Sequence, residues 1–136
     1  MVEKIKIHPE DIEQITFVSW IRRTFPDVLI FHVPNGGRRS ITQAMKFQKM
    51  GVVPGIPDLY IPAWQLWIEM KRTKGGSLSK DQKDIIAYLE SIGDTVIVGK
   101  GWEDARKKVL HFLETSGKVD AVLTNNETEL QCPNTQ

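Results

Sequence analysis

The sequence predicts a single α/β domain. Helical patterns alternate with short β-branched or aromatic runs, two capping boxes mark helix starts, and turns rich in glycine and proline separate the segments. Residues 9 to about 25 carry Ile12, Ile15, Phe17, Val18, Trp20 and Ile21 at helical spacing. Pro9 stands at the start and Glu10, Asp11 and Glu13 in the first turn, which favours a helix N-terminus. VLIFHV, residues 28–33, reads as a strand, because β-branched and aromatic residues run unbroken into Pro34-Asn35-Gly36-Gly37. Ser40 with Gln43 forms a capping box for a helix that stops at Gly51. GVVPGIPDLYIP forces a loop, followed by strands at 58–61 and 66–72 joined through 62–65, a hairpin. Ser79 with Gln82 is a second capping box, opening a helix to about residue 91 before Gly93. TVIVG supplies a buried strand and residues 102 to about 114 a last helix. The predicted order is helix, strand, helix, strand, strand, helix, strand, helix, and this implies a central mixed sheet flanked by helices on both faces.

With 136 residues, 40% of them apolar, the chain has room for one core. Residues 1–116 are expected to form that domain and the polar residues 117–136 a flexible tail. Cys132 is the only cysteine and has no internal partner, the opening residues lack a signal-peptide stretch, and no run is long enough to span a membrane. A cytoplasmic, membrane-free setting is the expectation. The Asn126-Glu127-Thr128 sequon is discounted on the same ground.

Net charge is only +1, but the charges are segregated. Residues 36–83 hold nine basic against three acidic residues, and the remainder nine against fourteen. A basic middle fits a cationic face for a polyanion, although solvated helix lysines give the same count.

The chemistry concentrates on one strand. In LWIEMKR, Trp67, Glu69 and Lys71 alternate with Leu66, Ile68 and Met70, so Glu69 and Lys71 share a face. Charges inside an apolar strand cost desolvation and are therefore paired, at a rim, or functional. Asp58 begins the preceding strand of the hairpin, so two carboxylates converge. Magnesium binds through one or two carboxylates, several waters and a substrate phosphate, and Asp58 with Glu69 offers such a set. Lys71 beside them would orient water and offset transition-state charge, which implies phosphodiester hydrolysis. No zinc spacing, Walker loop or glycine-framed serine competes.

Pro57-Asp58 followed by Glu69-Met70-Lys71 resembles the PD-(D/E)XK nuclease superfamily. Glu10 with Gln14, PNGGRRS at 34–40, GVVPGIPDL at 51–59, Glu69 with Lys71, and LSKDQ at 78–82 are together similar to the VRR-NUC (virus-type replication-repair nuclease) domain, over residues 9 to about 114. The resemblance implies a restriction-endonuclease-like core. It also implies Glu10, Asp58 and Glu69 as metal residues, Lys71 as catalytic lysine, and a ligating carbonyl from Met70. Gln14 lies one turn from Glu10 and would support the site; Glu13 competes with Glu10, and either acid would also suit a helix N-terminus without any site. Gln82 is assigned a supporting role beside its capping box.

Asn35, Arg38, Arg39, Arg72 and Lys74 are the expected DNA contacts, against the plainer reading of solvated turns. The implied activity is a Mg²⁺- or Mn²⁺-dependent endonuclease for branched or structured DNA. Stand-alone relatives look like homodimeric Holliday-junction-resolving enzymes of phage or mobile-element type, and no small-molecule cofactor is expected. The alternatives are a nicking or flap nuclease within a phage replication or recombination complex, and an inert DNA-binding module. Trp20 and Trp102 are expected in the core and Trp64, Leu66 and Trp67 at a partner surface. His8, His32 and His111 receive no role.

Overall fold

The computed structural model describes residues 6–34 and 40–118. The expected contacts Asn35, Arg38 and Arg39, the sequon, Cys132 and all but the first two residues of the predicted tail lie outside them. In chain order the elements are α1 (Pro9–Thr24), β1 (Phe31–His32), α2 (Ile41–Lys49), β2 (Leu59–Ile61), a 3-10 turn (Pro62–Trp64), β3 (Leu66–Lys71), α3 (Lys80–Ser91), β4 (Thr95–Lys100) and α4 (Trp102–Ser116).

The four strands lie in the order β1-β2-β3-β4, antiparallel except for the parallel pair β3–β4. The parallel pair needs a crossover, which α3 provides. Both capping boxes form: the Ser40 and Ser79 hydroxyls accept from the Gln43 and Gln82 amides, and each glutamine returns to its serine N–H. The 3-10 turn closes with the Gln65 N–H on the Pro62 carbonyl at 3.1 Å, and Gln65, in the left-handed region (φ 49°), turns the chain into β3.

One face of the sheet meets α1 and α4. Phe17 and Ile21 of α1 and Ala105, Val109 and Leu113 of α4 bury against Leu59, Ile61, Leu66, Ile68 and Ile97. Period-2 alternation sends Glu69 and Lys71 to the opposite face, where α3 covers them. The outer edge of β4 is closed by α4: Lys108 Nζ donates to the Val98 carbonyl at 2.7 Å, the Asp104 carboxylate accepts the Lys100 N–H at 2.9 Å, and the two side chains pair at 3.0 Å.

Three expectations change. The strand at 28–33 pairs with β2 only at Phe31 and His32, and Val33 N–H adds a bond to the Asp58 carbonyl at 2.8 Å. Trp64 and Leu66 belong to this chain's own core, at 2% and 0% exposure, and so cannot face a partner; Trp64 stands edge-on to Phe25 at 5.0 Å. Trp67 is half-buried, its ring 4.2 Å from Tyr60 and its indole N–H donating to Asp94 at 3.0 Å. Trp20 and Trp102 pack against the core as expected. No helix among the described residues is long and apolar enough to cross a membrane.

Candidate active site

β2 stops pairing at Leu59, opposite Ile68, while β3 continues for three more residues. The hairpin therefore opens at Glu69, Met70 and Lys71. Asp58 fills the gap: its Oδ2 accepts the Met70 N–H at 2.8 Å, in place of a ladder bond. The opening is a cavity of about 390 Å³ lined by Asp58, Glu69, Lys71 and, from α1, Glu10 and Gln14.

The loop before Asp58 is fixed by a close approach. Gly55 has φ +92°, and a Cβ there would lie 2.6 Å from the Asp81 carbonyl in the first turn of α3. Glycine brings the loop against that turn, where Gln82 stands. The Gln82 Oε1 accepts both the Ser79 N–H and the Lys71 ammonium, each at 2.9 Å, so its Nε2 is left to donate to Glu69 Oε1 at 3.3 Å. One amide thus caps α3 and orients the lysine and the glutamate. Lys71 Nζ itself lies 3.9 Å from Glu69 Oε1. Behind the lysine, an added Cβ on Gly76 would sit 3.0 Å from Lys71 Cβ, so the turn after β3 closes over the stem of the lysine.

Glu69 is 4% exposed. Burial pushes its pKa up to about 8, the neighbouring Asp58 charge and a hydrogen bond to Asp58 add to the rise, and Lys71 opposes it. Near neutral pH Glu69 therefore keeps its proton, facing Asp58. Two carboxylates so placed suit a hard divalent cation, which Asp58 and Glu69 would hold. Among the described residues no group of three or more His, Cys, Asp or Glu forms a metal cluster.

The two candidates on α1 separate. Glu10 faces the cavity and is held by Arg72 Nε at 3.2 Å, whereas Glu13 turns away and accepts the Trp102 N–H at the start of α4 at 2.6 Å. Arg72 is thus paired with a carboxylate, and Lys74 is exposed in the following turn. Two residues at the site carried no assignment from sequence. Asp11 lines the cavity, and His32 Nδ1 lies 2.8 Å from the Asp58 carbonyl. The same Nδ1 lies 3.2 Å from the Gln14 amide nitrogen, and the Val33 N–H donates to the same Asp58 carbonyl at 2.8 Å, so His32 sits between Gln14 and the Asp58 backbone. His32 is 26 residues from Asp58, and no local spacing announces the contact.

An open hairpin with an acid on each strand and a lysine two residues beyond the second, in a mixed sheet flanked by helices, is a PD-(D/E)XK-type domain. No family model and no curated protein matches the chain. Among solved structures, one described as "VRR_NUC domain protein" is similar over 81% of this chain and 92% of that one, with 27% sequence identity and a TM-score of 0.63. The resemblance to the VRR-NUC domain read from the motifs, and the fold class, are thereby borne out.

Proposed function

We propose that this chain is a divalent-metal-dependent nuclease that hydrolyses phosphodiester bonds in DNA. The observation that carries the reading is the Asp58–Glu69 pair across the open hairpin, with Lys71 aligned by Gln82 on the same cavity. The VRR_NUC description of the similar solved structure supports it. Asp58 and Glu69 would hold Mg²⁺ or Mn²⁺, with the Met70 carbonyl as a further oxygen. Once bound, the cation supplies Lewis-acid polarisation of the phosphoryl oxygen and a more acidic water. Lys71 presents its ammonium to the charge that develops on phosphorus, and its bond to Gln82 fixes the direction of approach. Water oxygen bonds to phosphorus as one ester P–O bond breaks, leaving a phosphate monoester and a hydroxyl. Glu10 completes the acidic rim when Arg72 releases it.

The finer reading is an endonuclease for branched or structured DNA, working as a homodimer. One cavity per chain cuts one strand, and two-fold symmetry would present two sites of matched polarity to a junction. The test is cleavage of four-way junction, flap, nicked and linear DNA side by side with Mg²⁺, Mn²⁺ or EDTA. Metal-dependent cutting that favours the branched forms is expected, and no cutting of any of them by pure protein would end the reading. Light scattering tests the dimer, which a monomeric mass at micromolar concentration would exclude.

A further inference from the structure

Beside the catalytic cavity lies a second groove of about 440 Å³, and Gln14 lines both. Its floor is one face of α1: Ile15 and Val18, then Ser19, Arg22 and Arg23, with His32 of β1 as the opposite wall. No carboxylate lines it. Neither arginine takes part in an ion pair among the described residues; Arg23 donates only to the Ser19 carbonyl, at 3.3 Å. Ile15 is 53% exposed although it faces this groove.

Resting on the nuclease reading, we infer that this groove seats an unpaired nucleotide adjoining the scissile phosphate, its base on Ile15 and Val18 and its flanking phosphates on Arg22 and Arg23. Three observations point there. The groove joins the cavity at Gln14, and at its mouth His32 also braces Asp58, so a strand leaving the cut site runs directly into it. From Gln14 to Arg22 the helix rises about 12 Å, enough for a strand to pass from the cut to the guanidinium pair. The aliphatic stretch between polar ends suits a nucleobase face, whereas a duplex backbone presents only phosphate and sugar. The volume is that of a small-ligand site. Branched DNA offers unpaired nucleotides and intact duplex does not, so the groove would read structure without reading sequence.

The test is fluorescence anisotropy of the whole chain in Ca²⁺ with a blunt duplex and with the same duplex bearing a single-stranded tail. Wild type is expected to bind the tailed form about tenfold more tightly. Arg22→Ala/Arg23→Ala should abolish that preference, leave blunt-duplex binding within about twofold, and reduce the salt slope on tailed DNA by roughly 1.4, the value for two single-strand phosphate contacts. Ile15→Glu should abolish the preference as well. Circular dichroism checks that these surface variants fold. Equal binding of the two DNAs by wild type, or an equal loss on both in the variants, overturns the groove. Cleavage in Mg²⁺ separates the two readings: cutting with a preference that the variants do not move ends the groove alone, and tail-dependent binding without any cutting upholds the groove while ending the nuclease.

Discussion

Gln82 carries more of the site than its side chain would suggest, because its oxygen takes two donors and its nitrogen must then face Glu69. The residues it aligns are the ones whose loss should be felt most. Asp58→Ala, Glu69→Ala and Lys71→Ala are each expected to lower DNA cleavage at least about a hundredfold with the fold retained, as steady-state kinetics and circular dichroism would register. Normal turnover in all three would remove this cavity from the chemistry. Glu69 also makes the metal-free protein sensitive to pH. Its pKa is about 8 in the folded chain against an ordinary value of 4.5, so between those values the folded state binds the extra proton. The contribution of Glu69 to stability is therefore fully present below about pH 4.5 and declines as pH rises toward 8. Thermal melts in EDTA should fall over that range, and Glu69→Gln, which cannot ionise, should flatten the curve. A wild-type curve that rises as steeply as that of Glu69→Gln would contradict the raised Glu69 pKa.

At the level of elements, the loop ahead of β2 is the tightest constraint. Gly55→Ala places a methyl against the Asp81 backbone at a positive φ, and the neighbouring atoms are main chain that cannot swing aside. A cost of about 1–3 kcal/mol in chemical denaturation is expected, together with weakened cleavage, since the same contact sets Asp58 beside α3. Unchanged stability would mean that the loop has room the close approach denies.

The order of elements, both capping boxes, and the meeting of Asp58, Glu69 and Lys71 were legible in the sequence, because hydrophobic period, cap chemistry and strand alternation are local signals. The misses came from tertiary context. A run of six apolar and aromatic residues pairs with β2 over only two of them, and no local pattern marks which two. Trp64 looked free on a hairpin until the 3-10 turn folded it onto Phe25. Glu10 and Glu13 are equivalent as helix-start acids. Only the position of α4, whose first N–H takes Glu13, tells them apart.

For the whole molecule, a cation held as proposed by the buried Glu69 and the half-buried Asp58 would couple ligand binding to folding. Mg²⁺ or Mn²⁺ at a hundred times its Kd is expected to stabilise the protein by about 2.7 kcal/mol, seen as a raised melting temperature. Asp58→Ala should lose most of that rise, and an equal rise in the mutant would place the cation elsewhere. The closed edge of β4 bears on assembly. With Val98 and Lys100 engaged by α4, two copies would gain little by joining their sheets along β4.

The Met70 amide, held by a carboxylate where the hairpin opens, has a further consequence. Its neighbour Ile68 is paired with strands on both sides, but the Met70 proton is retained only while Asp58 keeps its rotamer. Deuterium uptake at that one amide should therefore record the motion of Asp58 itself. Asp58→Ala is expected to speed exchange at Met70 and leave Ile68 as slow as the core, and nucleic acid or cation that draws the carboxylate away should act in the same direction.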